Sequence, residues 1–196
     1  MSAPELAPKP HAAGVTLALC AGDVVEVAAF RDRAPELVSR AQERGLVLPR
    51  LGQVAAAGGG LVLSVRPERW RLVLPAAPAG ASTLKAQEIC GAAGAAIEAG
   101  SGLAALHLTG PAARETLKRG CRLDLDPQAF PTGAAAASAI AQVAVILAAL
   151  PSGLLLLTPA TTARHLCEWL ASTARPFGFQ SGADVNVTAL SGEQSS

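Results

Sequence analysis

The sequence has no tyrosine, and phenylalanine and tryptophan bring the aromatic share to only 3%. Proteins that hold single-stranded nucleic acid stack its bases on aromatic rings inside a basic groove. This chain offers neither feature, because its formal net charge is +1 and its lysines and arginines form no block. Electrostatics thus gives no basis for nucleic acid or an anionic membrane surface as partner. Cysteine is also scarce. Cys20, Cys90, Cys121 and Cys167 form no CxxC pair and have no histidine at zinc-ligand spacing. Each stands among apolar or small residues and is expected to be a buried, reduced thiol of a cytosolic protein. The opening MSAPELAPKPHAA has no apolar core of the signal-peptide kind. It is expected to be a proline-rich disordered tail over residues 1–13.

Catalytic signatures are missing too. There is no GxSxG or HExxH, and no GxGxxG follows a strand. Gly58-Gly59-Gly60 runs into a strand and is not followed by a Lys-Ser/Thr pair, so it lacks the setting of a phosphate-cradling loop.

What the chain does have is aliphatic mass. Hydrophobic residues are 51% of 196, which excludes disorder and suffices for one sizeable core or two packed halves. Much of that share is alanine, so Leu, Val and Ile must supply the core. From Pro127 to Ala163 no Asp, Glu, Lys, Arg or His occurs. A spanning helix needs about 20 apolar residues. Here Pro151-Ser152-Gly153 breaks the run with turn chemistry, and no basic cluster or aromatic belt flanks it. Two buried strands joined by a hairpin are expected, with a membrane-associated scaffold as the minor alternative.

Along the chain, Val15–Leu19 and Val24–Phe30 flank Gly22-Asp23, which suggests a hairpin or an irregular strand pair. Pro35 opens a helix through Arg44 that Gly45 closes. Gln53–Ala57 is a weak strand, and Leu61–Val65 and Trp70–Leu74 form a hairpin with a charged tip. Ser82 caps a helix to about Cys90. Leu103–Leu108 is a strand. Thr109 or Gly110 caps a helix with Pro111 in its first turn and Gly120 at its end. Ala137–Ala144 and Val145–Leu150 form one bent strand or two, and Leu154–Leu157 returns across Pro151-Ser152-Gly153. Thr158-Pro159 starts a helix with Ala163, Leu166, Cys167 and Leu170 on one face. LSVRPERWRLVLPAAPAGASTL and LAALPSGLLLLTPATTARHL share one pattern of strand, turn, strand, proline, loop and helix. The expected fold is α/β (α+β), with two related βαβ-type halves over 14–98 and 99–176 and a mobile tail over 177–196.

Few side chains offer chemistry. His107 could act as a base, but no carboxylate or nucleophile stands beside it, and a half-buried strand histidine bonded to a neighbour is the simpler expectation. His165 and Glu168 are spaced so that contact on a helix is possible, but a solvated pair or a partner contact is the default expectation. Asp124 and Asp126 suit turn formation before Pro127 better than calcium or magnesium, which want more oxygens. Trp70 and Trp169 suit core or interface packing.

One stretch is more specific. SGLAALHLTGPAARETLKRGCRLDLDPQAFPTG carries Leu108, Gly110, Pro111, Ala113, Arg114, Leu117, Gly120, Cys121, Leu123, Asp124, Leu125, Phe130, Pro131 and Gly133. It resembles the central motif of the gamma subunit of heterotetrameric sarcosine oxidase. GLVLPRLGQVAAAGGGLVLSVRPERWRLVLP and HLCEWLASTAR resemble that family's upstream and closing tryptophan segments. The resemblance implies two ferredoxin-like halves, related to the folate-binding part of aminomethyltransferases. It implies a non-catalytic, cytoplasmic subunit assembled with alpha, beta and delta subunits into a complex that oxidises sarcosine and passes the one-carbon unit to tetrahydrofolate. FAD, FMN, NAD, zinc and tetrahydrofolate would belong to the partner subunits. No catalytic, cofactor-binding or metal residue carries over to this chain. Gly110, Pro111, Arg114, Gly120, Asp124, Phe130, Trp70 and Trp169 stand out as motif and candidate interface residues. Arg114 either ties its helix to the Asp124–Asp126 loop, which is favoured, or reaches into a partner. The alternatives are a free-standing folate-binding module of the T-protein type, and the gamma subunit of a related N-methyl amino acid dehydrogenase.

Overall fold

The computed structural model describes residues 13–191, so the tail expected over 1–13 lies, except for Ala13, outside the described residues. Two sheets, the first antiparallel and the second mixed, are packed face to face, with helices on the outer face of each. The first sheet has the order β3-β4-β5-β2-β6. Its strands are β2 (Asp23–Ala29), β3 (Gln53–Ala57), β4 (Gly60–Arg66), β5 (Arg69–Leu74) and β6 (Gly94–Glu98). Helices α1 (Ala34–Glu43) and α2 (Ala81–Cys90) cover it, burying Val25, Val27, Leu37, Val62, Trp70, Leu72 and Cys90 between them.

The second sheet has the order β11-β1-β7-β10-β9-β8. It contains β1 (Val15–Ala21), β7 (Leu103–Thr109), β8 (Ala135–Ile140), β9 (Val143–Leu150), β10 (Gly153–Pro159) and β11 (Phe179–Ser181). Helices α3 (Ala113–Lys118) and α4 (Ala160–Ala174) cover its outer face. That core holds Leu106, Leu108, Leu117, Leu125, Phe130, Ile140, Leu147, Leu156, Leu166 and Leu170. A third core fills the space between the sheets, with Leu61, Leu63 and Val73 of the first meeting Ala148, Leu150, Leu155 and Leu157 of the second. Both faces of β9 and β10 are thus buried. This explains why LLLL at 154–157 shows no polar alternation, as is usual for strands covered on both sides.

Within each half the strands follow one order: β3-β4-β5-β2 matches β8-β9-β10-β7. Removing the edge strands β3 and β8 leaves the ferredoxin-like arrangement. Beside β2 stands β6, and the corresponding place beside β7 is taken by β1. The expected pairing of Val15–Leu19 with Val24–Phe30 is therefore wrong: the two consecutive strands enter different sheets. Gly22 is the crossing point, where a Cβ would lie 2.5 Å from the Leu74 carbonyl oxygen. The sheets also meet at one pair of edges. Val54 N–H donates to Gly133 O at 2.9 Å, and Ala135 N–H donates to Gly52 O at 2.8 Å.

Three further expectations need correction, and one open alternative is decided in favour of two strands. Ser82 does not cap α2; its buried hydroxyl donates to Asp23 Oδ2 at 2.6 Å, and Gly80, at φ 78°, precedes the helix. Pro111 lies in a turn two residues ahead of α3 instead of in its first turn. Residues 137–150 belong to two strands, β8 and β9, which turn at Ala141-Gln142. The segment from 177 to 190 is built into the fold. There β11 pairs with β1, and β12 (Val185–Asn186) pairs with it as well. Helix α5 (Val187–Leu190) then places Val187 and Leu190 in the inter-sheet core.

Candidate functional site

The family-like motif forms a single knot at one end of the second sheet. β7 ends just before Gly110, whose φ is 104° and where a Cβ would lie 2.4 Å from the Gly14 carbonyl oxygen. A side chain is therefore excluded on two grounds, conformation and space. Past Pro111, Ala112 N–H donates to the same Gly14 carbonyl at 2.9 Å. The helix that follows, α3, has only six residues, too few to be stable without tertiary contacts. Leu117 anchors it in the core, and Arg114 anchors it to the next loop. Nη1 of Arg114 donates to Leu125 O and to Phe130 O, both at 2.9 Å. The favoured internal tie is present, and its acceptors are carbonyls instead of carboxylates.

The loop that accepts these bonds is shaped by its aspartates. Asp126 N–H donates to Asp124 Oδ1 at 2.9 Å, and Gln128 N–H donates to Asp126 Oδ1 at 3.0 Å. Such side-chain turns place Leu125 and Phe130 inward, both buried. At the other end of α3, a Cβ on Gly120 would lie 2.5 Å from Trp169 Cζ2, so glycine makes room for the indole. Arg119 sits over the Phe177 ring, 4.6 Å from its centroid, a cation–π contact. Gly110, Pro111, Arg114, Gly120, Asp124, Phe130 and Trp169 thus gather around α3. Trp70 does not join them. It packs under α1 and α2 in the first sheet, and its indole N–H donates to Pro49 O at 2.9 Å.

His107 is buried on the inner face of β7, with Ser152 Oγ 3.3 Å from its Nε2. Burial lowers its pKa, and a hydrogen bond with the Ser152 backbone opposes that only in part. The imidazole is accordingly held neutral near pH 7. His165 and Glu168 do not bond each other; on this exposed face Glu168 accepts from Arg164 Nε at 2.8 Å. Burial raises the Cys20 thiol to about 11 and also raises Cys90 and Cys167. Among the described residues no three His, Cys, Asp or Glu side chains converge as metal ligands would.

Beside the knot is a hollow of about 320 Å³, lined by Thr109, Gly110, Pro111, Arg114, Thr132 and Gly153 among others. Thr132 escaped the sequence reading, and Thr109 and Pro151–Gly153 were legible only as a helix cap and a turn, because isolated hydroxyl and turn residues carry no spacing signal for a site. Only the fold brings them to Arg114.

Two ferredoxin-like halves, packed sheet to sheet, define the class to which the chain belongs: the aminomethyltransferase type of fold. Its coordinates match those of glycine cleavage system aminomethyltransferase T from Bartonella henselae with a TM-score of 0.65 at 18% identity, over 92% of this chain and 51% of that one. The chain belongs to the sarcosine oxidase, gamma subunit family, whose model matches residues 32–172. It is 35% identical over 105 residues to sarcosine oxidase subunit gamma of Arthrobacter sp. That alignment covers 53% of this chain and spans about half, 51%, of the relative's length. It is also similar to a chain of heterotetrameric sarcosine oxidase from Corynebacterium sp. U-96, solved with pyrrole 2-carboxylate. That likeness has a TM-score of 0.73 at 26% identity and covers 83% of this chain and 85% of that one.

Proposed function

We propose that the chain is the gamma subunit of a heterotetrameric sarcosine oxidase, with a structural role in assembly and no catalytic residue of its own. The observation that carries this is the family match over residues 32–172, joined to the likeness to a chain of the Corynebacterium complex. In this reading alpha, beta and delta subunits are the partners. FAD, FMN, NAD and zinc reside on them, as does the transfer of the one-carbon unit from sarcosine to tetrahydrofolate. The complex is cytoplasmic, in keeping with the fact that no helix among the described residues is long and apolar enough to cross a membrane.

The local geometry supports a structural role. Arg114 Nη1, Asp124 and Asp126 are engaged in holding the chain's own loop. His107 is buried and meets a serine instead of a carboxylate. Co-expression with the three other subunits tests the proposal. The chain should co-purify with them in one complex, and a chain that stays free while the others assemble would overturn it. His107→Ala in that complex should leave turnover within a few-fold of wild type. Loss of a general base costs roughly 10²–10⁴-fold, and a fall of that size with assembly intact would place catalysis on this chain.

A further inference from the structure

Among the described residues, the fold uses only one nitrogen of Arg114. A guanidinium has five N–H donors in a rigid plane. The two on Nη1 are taken by Leu125 O and Phe130 O. Nε and Nη2 have no acceptor among the described residues. They form the side edge of the fork, which matches the two oxygens of a carboxylate. Arg114 lines the hollow of about 320 Å³, and so do Thr109 and Thr132, whose hydroxyls likewise have no partner among the described residues. Among the described residues, no acidic one lines it.

We propose that this hollow is an oxyanion subsite that takes a carboxylate. Nε and Nη2 of Arg114 hold the carboxylate side-on, and the hydroxyls of Thr109 and Thr132 donate to its oxygens. The two carbonyl bonds on Nη1 fix the guanidinium in advance, so little side-chain freedom is lost when the anion arrives. One cation with two hydroxyls matches a monoanion better than a phosphate dianion. The carboxylate has two conceivable sources, a small free acid or an acidic group on a neighbouring polypeptide, and the recognition chemistry is the same.

The test is a titration of the full free chain with sodium acetate against sodium chloride at constant ionic strength, followed by amide and arginine Nε–H resonances. Saturable shifts are expected at Thr109, Gly110, Arg114, Thr132 and Gly153. A Kd of about 1–10 mM is reasonable for so small a ligand. Arg114→Lys keeps the charge but not the fork and should weaken binding by about tenfold or more. Should that variant melt early, Thr109→Val with Thr132→Val leaves the bonds of Arg114 in place and is expected to weaken acetate several-fold. Shifts that do not saturate, that centre on Lys118, Arg119 and Arg122, or that survive both sets of substitutions overturn the proposal. The same titration on the assembled complex separates the sources. An acetate site that persists there points to a small acid. A site lost on assembly, together with weaker assembly by Arg114→Lys, points to a carboxylate of the neighbouring chain. The free-chain result stands or falls independently of the proposed partners.

Discussion

Arg114 donates from one nitrogen to carbonyls eleven and sixteen residues further along the chain. Removing it leaves both acceptors without their donor in a part-buried loop, and a hydrogen bond to a charged group is worth about 1.5–3 kcal/mol. Partial exposure reduces this, so Arg114→Ala should cost the free chain about 2 kcal/mol in total. Thermal melts of the free chain and a subunit-binding assay check it together. The melting point should fall, and assembly should weaken only to the extent that folding does, unless the carboxylate at Arg114 belongs to a neighbouring chain. An unchanged melt with collapsed binding would make Arg114 an interface residue. His107 gives a pH-dependent counterpart. Its pKa is lowered in the fold by burial, so the unfolded chain takes up a proton first as the solution is acidified. Stability from this group is then full above about pH 6.5, the unperturbed histidine value, and is lost as pH falls below it. Denaturant titrations at several pH values should show that fall, and His107→Gln should flatten it. Parallel curves for the two proteins would remove His107 from the acid response.

Elements differ in how much of themselves they show in one dimension. β4, β5, β7 and β10 are legible as apolar runs bounded by glycine, proline or charge, and α1 and α4 as periodic faces with proline at the start. β6, Gly-Ala-Ala-Ile-Glu, is not. Its alanines have no strand preference, and it is held by β2 on one side. On the other side, Gln87 Oε1 accepts from Ala96 N–H at 2.8 Å. The partner of β1 is hidden for a different reason: adjacent apolar runs look like a hairpin whether or not they pair, and only tertiary packing sends them to separate sheets. In the site, Arg114 and Gly120 were visible as motif letters, whereas Thr109 and Thr132 needed the fold. The β8–β9 turn was blurred because it uses the wrong residues for its shape. Ala141 and Gln142 have φ of 48° and 67°, the paired left-handed geometry of a tight hairpin that normally selects Asn-Gly. A side chain in that region costs roughly 1–2 kcal/mol. Ladder pairing with β9 and the bond from Ala141 N–H to Gly120 O hold it there. Ala141→Gly relieves the strain at some entropic cost in the unfolded chain, so a net gain of up to about 1 kcal/mol and a melting point a few degrees higher are expected. A lower melting point would show that the turn is not strained at this residue.

On the scale of the whole molecule, the inter-sheet core depends on a segment whose composition suggests a tail. Gly, Ser, Gln and Asp dominate 178–184, yet β11 and β12 lie along β1 and carry the chain to α5. Asn186 caps that helix, with its side-chain oxygen accepting from Thr188 N–H at 3.1 Å. Val187 and Leu190 then enter the space between the sheets, 0% and 4% exposed. Around them lie Leu61, Leu63, Val73, Leu150 and Leu155. Burying one such aliphatic side chain is worth about 1.5–3 kcal/mol. Ending the chain after Gly178 keeps the bonds of Gly14 and Val15 to Phe177 O and Gly178 O, but removes both aliphatic plugs and opens the core to water. The loss, about 3–6 kcal/mol, is a large share of the 5–15 kcal/mol that holds a typical domain. The shortened chain should therefore bind a hydrophobic dye and aggregate well below the melting temperature of the full chain. Val187→Asp with Leu190→Asp should do the same at full length, because two carboxylates cannot be buried there unpaired. If both proteins melt with the parent, the C-terminal segment is a loose strap, and the inter-sheet core closes without it.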